Sequence, residues 1–300
     1  MPAKNVESYI AEAIESYISH KTKDVILVII EDHSEDSTYR ICESYQERFP
    51  DLIILKKSPF HGKVKAINYG VDLVESEYIK FVDSDDLLSL DFWKTFDLIF
   101  PTNTTFVHSF TLIDSKGNFL EHMPVTPILQ NKYRNNLSSL IVLPKVAWTF
   151  YREDIEGMFP IPEDMPFEDI WFSFFFYTTF KKVENISLPL YLYRQHDSQT
   201  FGNIDDFSDE KIAFRYKRLF NALSLIQEER HFNHFAKEID QSKCITLFML
   251  KETDLSSLFK KTGLNVFFKH WLLRDFRFLY SIFRKLLWFN RKLFGTSRLF

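Results

Sequence analysis

Tyr78-Ile79-Lys80-Phe81-Val82 runs directly into Asp83-Ser84-Asp85-Asp86, so a short apolar strand ends in three carboxylates within four residues. At neutral pH such neighbours repel one another unless they are solvated, capped by backbone donors or set against a cation. In open α/β sheets ligands gather at the carboxyl ends of strands, which makes this turn a candidate site for a metal ion and a phosphorylated ligand. A plainer role is also open. Asp and Ser form turns and cap helices, and Asp86, followed by Leu87-Leu88-Ser89, could simply cap the next helix.

The sequence on either side of the turn supports a sheet. Val25-Ile26-Leu27-Val28-Ile29-Ile30 reads as a strand buried on both faces. It closes in a second acidic turn, Glu31-Asp32-His33-Ser34-Glu35-Asp36. A helix through about Arg48, a strand at Leu52 to Leu55, the loop Pro59-Phe60-His61-Gly62 and a helix from Lys63 to Val74 lead back to Tyr78. Ahead of them, Asn5 is placed to cap a helix bearing Val6, Ile10, Ala13, Ile14, Tyr17 and Ile18 at helical spacing. Alternating strands and helices predict a parallel sheet with right-handed crossovers, which brings both acidic turns to one rim.

Composition narrows the chemistry. The 300 residues are 45% apolar, enough for one large domain or two modest ones with a real core. With 7 Gly and neither a GxGxxG fingerprint nor a P-loop, nucleotide recognition would have to rest on side chains. Cys42 and Cys244 lie far apart without CxxC spacing, which suits a reducing compartment and two buried, inert thiols. No basic segment followed by an apolar one opens the chain, and nowhere do 18 apolar residues run together, so neither a secretory signal nor a membrane-spanning helix is expected.

Four motifs in order give the first half a resemblance to the inverting family 2 glycosyltransferases. Pro2-Ala3-Lys4-Asn5-Val6-Glu7 with Tyr9-Ile10 is similar to PxxNxExYI, and Glu31 to Asp36 to DDxSxD. Gly62-Lys63 with Ala66, Asn68 and Gly70 is similar to GKxxAxNxG, and Asp83 to Asp86 matches DxDD. The resemblance implies an α/β fold of the GT-A, Rossmann-like type, a mostly parallel sheet flanked by helices. It implies that Asp32 accepts from a nucleobase, with Pro2, Ala3 and Lys4 lining that pocket. Lys63, Asn68, Asp83 and Ser84 would complete the nucleotide-sugar site. Asp83, Asp85 and Asp86 would hold Mn²⁺ or Mg²⁺ against a diphosphate, as hard oxygen ligands suit those ions. Glu31 stands where the family has Asp, and Ile67 where many members carry Arg. The family's first strand precedes the Pro2 segment, so with the chain opening at Met1 a central strand is expected to be missing.

Farther on, Trp148-Thr149-Phe150-Tyr151-Arg152 is similar to aromatic segments near the acceptor in that family, although a Trp among apolar neighbours more often belongs to a core. Glu168-Asp169 opens an aromatic helix, where acids complement the helix dipole. The position also resembles the family's ED motif, which makes Asp169 the expected general base and Glu168 its support. Leu190 to Ser198 is similar to the YRxHxxS segment, so that Arg194 would donate to phosphate and His196 would complete the metal or diphosphate shell.

The sequence divides into a nucleotide-sugar half (1–100), an acceptor half with the base (101–205) and a helical extension (206–300). From 260 to 300 there are ten Lys or Arg against Asp275 alone, interleaved with aromatic residues, in a chain whose net charge is −4. Such a tail suits an anionic membrane surface, or packing against an acidic body, better than nucleic acid. Together these features lead to the expectation of a cytoplasmic enzyme at the inner face of the cell membrane. It would transfer sugar from a nucleoside diphosphate, such as UDP, to a saccharide or lipid-linked acceptor in cell-surface polysaccharide synthesis. The rival readings are a sugar-phosphate nucleotidyltransferase, which would need a glycine-rich loop, and a non-catalytic scaffold.

Overall fold

A computed structural model describes residues 1–19, 25–125, 143–166, 168–179, 183–196, 208–262 and 264–275. They fall into two compact units. The first takes Met1–Thr126, Pro144–Asp164 and Thr179–His196, and the second takes Pro127–Leu143, Met165–Thr178 and Asp197–Phe300. The acceptor half read from the sequence is therefore shared: Trp148 and Arg194 lie in the first unit, and Glu168 and Asp169 in the second.

The first unit begins with a parallel sheet of β1 (Pro2–Ala3), β2 (Leu27–Glu31) and β3 (Ile53–Lys57). β2 lies in the middle, pairing Pro2 with Ile30 on one side and Leu27 with Ile53 on the other, which is why its apolar run is nearly all buried. The segment at Pro2 thus does enter the sheet, as a strand two residues long. Helices α1 (Ile10–Ile18), α2 (Thr38–Arg48) and α3 (Lys63–Asp72) alternate with these strands. On α3, a Cβ added to Gly70 would meet Ile30 Cγ1 at 3.1 Å, so a small residue lets this helix lie close on β2.

α1 starts later than expected. Asn5 has a left-handed φ of 50°, its side-chain carbonyl accepts from Glu35 N at 2.8 Å, and its own N–H donates to Ser34 Oγ at 3.1 Å. Glu7 in turn accepts from Ser37 N at 2.9 Å. Groups that could cap a helix instead lace residues 5–7 to the loop after β2, and the helix begins beyond them.

The second sheet runs β4 (Tyr78–Lys80), β8 (Trp148–Tyr151), β6 (Phe106–Ile113), β9 (Glu184–Arg194) and β5 (Leu87–Leu88), with β7 (Phe119–Met123) on β6. β6 and β9 are parallel and the remaining pairs antiparallel, so the parallel character of the fold lies in the first sheet and along this central pair. α4 (Phe92–Ile99) follows β5. Trp148, at 2% exposure, belongs to the core and stacks on Phe150 with ring centroids 6.2 Å apart.

The second unit is helical where it is described. α5 (Glu168–Thr179) sets Trp171 and Phe174 edge-on to Phe232. α6 (Asp209–Glu228), α7 (Ala236–Met249), α8 (Leu255–Lys261) and α9 (Leu264–Asp275) follow, around a core of Ile212, Ile245, Phe248, Met249 and Leu258. Most of the basic tail, from residue 276, lies outside the described residues. Among the described residues no helix is long and apolar enough to cross a membrane. Both cysteines are buried and free, and burial pushes the Cys42 thiol up to about 12, as expected of an inert group.

Candidate functional site

The three carboxylates after β4 avoid mutual repulsion by meeting three different environments. Asp83 lies between two ammonium groups: both its oxygens accept from Lys145 Nζ, at 2.9 and 2.8 Å, and Lys63 Nζ lies 3.1 Å away. Burial alone would raise its pKa, but the charges of Lys145 and Lys63 outweigh burial and hold the carboxyl well below the usual carboxylate range. Asp85 keeps a partly open carboxylate, 20% exposed, facing His196 Nε2 at 3.0 Å. The imidazole of His196 rests against the Tyr9 ring, with centroids 4.8 Å apart.

Asp86 turns inward and is 1% exposed. One oxygen accepts from Arg194 N at 2.7 Å and the other from Tyr191 Oη at 3.0 Å. Burial, with the nearby charges of Asp85 and Asp83, pushes its pKa well above the usual carboxylate range. Asp86 is therefore neither the cap of a following helix nor an open metal ligand. It anchors the acidic turn to the end of β9.

The expected phosphate donor Arg194 is likewise engaged elsewhere. Its Nε donates to the Asp85 carbonyl at 2.8 Å, Nη1 to the Ser115 carbonyl at 3.2 Å and Nη2 to Glu12 at 2.7 Å, all at 1% exposure. A guanidinium placed this way clamps the back of the turn instead of facing a ligand. Asn68 is similarly committed, its amide donating to and accepting from the backbone of Ile161 at 2.8 and 2.9 Å.

The second acidic turn gathers the remaining expected residues of this unit. Asp32 is 3% exposed, and its carboxylate accepts from Gly62 N at 3.1 and 3.0 Å. Gly62 can turn that N–H inward because its φ of 117° is open to glycine and strained for other residues. Asp32 N donates to the Ala3 carbonyl at 2.8 Å, and Lys4 Nζ lies 3.9 Å from the Asp32 carboxylate. Glu31, in place of the family's Asp, accepts from Ser34 N and shapes the turn. Ser84 is buried within the first turn.

Asp169 and Glu168 stand in the first turn of α5, in the second unit, with Glu168 8% exposed. Arg218 of α6 donates to the Pro166 carbonyl just ahead of them, and its own pKa is lowered by burial despite the charge of Glu168.

Lys145 is the residue that sequence reading missed. It sits in a short 3-10 turn, Lys145–Ala147, 2% exposed, in the apolar run Leu143-Pro144-Lys145-Val146-Ala147-Trp148. A cation inside such a run is a signal in itself, since lysines are almost never buried without a partner. Lys145→Met would leave the half-buried Asp83 with Lys63 as its remaining ammonium partner, and is expected to destabilise the protein by about 3 kcal/mol in urea unfolding. Because the folded pKa of Asp83 is depressed, its stabilisation is present above the unfolded carboxyl value of about 4 and is lost as pH falls further. The variant should therefore lose less stability than the wild type on acidification below about pH 4.

As a donor set for a divalent ion, Asp85 and His196 fit: one open carboxylate oxygen and one imidazole nitrogen converge from separate segments. No third His, Cys, Asp or Glu joins them among the described residues, which leaves room for phosphate oxygens and water.

The model for "Glycosyl transferase family 2" matches residues 1–146. The minor teichoic acid biosynthesis protein GgaB of Bacillus subtilis is 40% identical over 91 residues, 30% of this chain, and the match spans 10% of GgaB's length. The crystal structure of S. aureus TarS residues 1–349 with UDP-GlcNAc aligns with a TM-score of 0.60 at 16% identity, covering 92% of this chain and 80% of that one. The mannosyltransferase PcManGT from Pyrobaculum calidifontis, in complex with GDP-Man and Mn2+, aligns at 0.55 and 15% identity, covering 99% and 86%. At these identities the structural likeness establishes a shared GT-A fold.

Proposed function

Through residues 1–146 this chain belongs to glycosyl transferase family 2, and from that membership we propose that it transfers a sugar from a nucleoside diphosphate, UDP, to a saccharide or lipid-linked acceptor with inversion. The observation that carries the reading is the sorting of the acidic turn. Asp85 stays open and faces His196, while Asp83 and Asp86 are neutralised or buried around it. TarS with UDP-GlcNAc and the mannosyltransferase with GDP-Man and Mn2+ support a nucleotide-sugar donor and a divalent cation. The likeness to GgaB supports a place in cell-surface polymer synthesis.

In this proposal Asp32, Gly62 and the Pro2–Lys4 segment receive the nucleobase, and the turn at Asp83–Asp86 receives the diphosphate. Asp85 and His196 would hold Mn²⁺ or Mg²⁺, and the ion, when bound, would offset charge on the departing diphosphate. Asp83, set between Lys63 and Lys145, fixes the position of two cations beside the same groups. Asp169 takes the proton of the acceptor hydroxyl as its oxygen bonds to the anomeric carbon and the bond to the diphosphate breaks. One in-line displacement requires one base and no covalent nucleophile.

The test is nucleoside diphosphate release from a panel of UDP-, GDP- and dTDP-sugars with Mn²⁺, alongside calorimetry with UDP. A protein with no metal-dependent nucleotide binding would be a scaffold, and the proposal would fail. The basic tail would hold the enzyme at the inner face of the membrane. Removal of residues 276–300 is expected to abolish flotation with anionic liposomes while leaving donor turnover in solution. Flotation that survives the deletion would dismiss the tail as the anchor.

A further inference from the structure

Away from the Asp85–His196 pair, one further cluster of metal-ligating groups stands out among the described residues. Asp32, His33 and His61 each place a ligand atom within 4.8 Å of the other two, drawn from the loop after β2 and the loop before α3. Along an extended strand Asp32 and His33 would point to opposite faces. The left-handed φ of 56° at His33 breaks that alternation, and the His33 and His61 rings stack with centroids 3.8 Å apart. Asp32 is the fixed member, buried and held by Gly62 N, whereas both imidazoles are exposed. Lys4, half exposed, comes no nearer to the Asp32 carboxylate than 3.9 Å.

We propose that Asp32, His33 and His61 form a second metal site, for a borderline transition-metal dication such as Zn²⁺. Two imidazoles and one carboxylate suit Zn²⁺ and its neighbours better than Mg²⁺ or Mn²⁺, which favour oxygen. Ligands around tetrahedral zinc stand about 3.3 Å apart, so atoms that already lie within 4.8 Å of one another need close by at most roughly 1.5 Å. Three protein ligands leave the fourth position to water. Bound there in the nucleotide-free protein, the ion would tie the loop after β2 to the loop before α3, and it would compete for the Asp32 carboxylate that the proposed function gives to the nucleobase.

The experiment uses the full-length protein stripped with a chelator. Zn²⁺ affinity is measured by competition with a chromophoric chelator, Co²⁺ is followed by its visible spectrum, and the thermal midpoint is recorded with and without Zn²⁺. The variants are His33→Ala, His61→Ala, the double variant and, as control, His122→Ala on β7. Wild type and control should take up one equivalent at this site, show an intense tetrahedral Co²⁺ band and gain thermal stability. Each site variant should bind more than about 100-fold more weakly, beyond the loss expected from an outer-shell partner. Wild type without the Co²⁺ band, or a double variant that binds Zn²⁺ as wild type does, would overturn the site.

Discussion

Asp85→Ala is expected to lower Mn²⁺-supported transfer by about 10²–10³-fold, the scale on which removal of one preorganised charge-stabilising group is felt. Its neighbours cannot substitute for it. Asp83 is paired with Lys63 and Lys145, and both oxygens of Asp86 are bonded within the protein. The fold should tolerate the change, because Arg194 grips the Asp85 backbone carbonyl and not its side chain. The deciding measurements are initial rates of nucleoside diphosphate release and calorimetric UDP binding with and without Mn²⁺. The variant should lose the metal-dependent part of both. If it turns over as fast as wild type, Asp85 has no part in holding the ion.

Asp169→Asn should produce a loss of comparable size with a different kinetic signature. General base catalysis contributes typically about 10²–10⁴-fold, and an amide cannot take the acceptor's proton. Because Asp169 lies in the second unit, whereas the proposed nucleotide contacts lie in the first, kcat for transfer should fall while UDP affinity stays at the wild-type value. A variant whose affinity for UDP falls as far as its rate would argue for a structural role at the start of α5. Unchanged transfer would exclude Asp169 as the base.

β2, β3 and the helices after them were readable because short-range signals there agree with the tertiary outcome, whereas the strand at Pro2–Ala3, only two residues long, carries no strand pattern of its own. The run around Leu27 to Ile30 is apolar because β2 has a neighbour on each side, and Lys63 opens α3 directly after a glycine that bends the chain. The acidic turn was recognisable as a motif, but the separate fates of its three carboxylates were not. Those fates depend on Lys145, Tyr191 and Arg194, which approach from 62 to 108 residues away in sequence. Arg194 shows the same limit: the motif marks it as a phosphate donor, whereas its partners Glu12 and Ser115 carry no local mark. Asn5 has the chemistry of a helix cap, and its use in lacing to Ser34 and Glu35 is decided by the loop packed beside it. His33 and His61 lie in separate loops 28 residues apart, and their contact exists only in space.

β9 has a bearing on how this protein can be dissected. It runs beside β6 through the interior of the second sheet, and at its end Arg194 reaches back to Glu12. A fragment cut where the family match stops, after residue 146, would omit β8 and β9 and leave Asp86 without its backbone donor or its tyrosine. The recognisable stretch is thus no portable cassette: grafted into a chimera or expressed alone, it would carry the motif letters without the strand that gives them their shape.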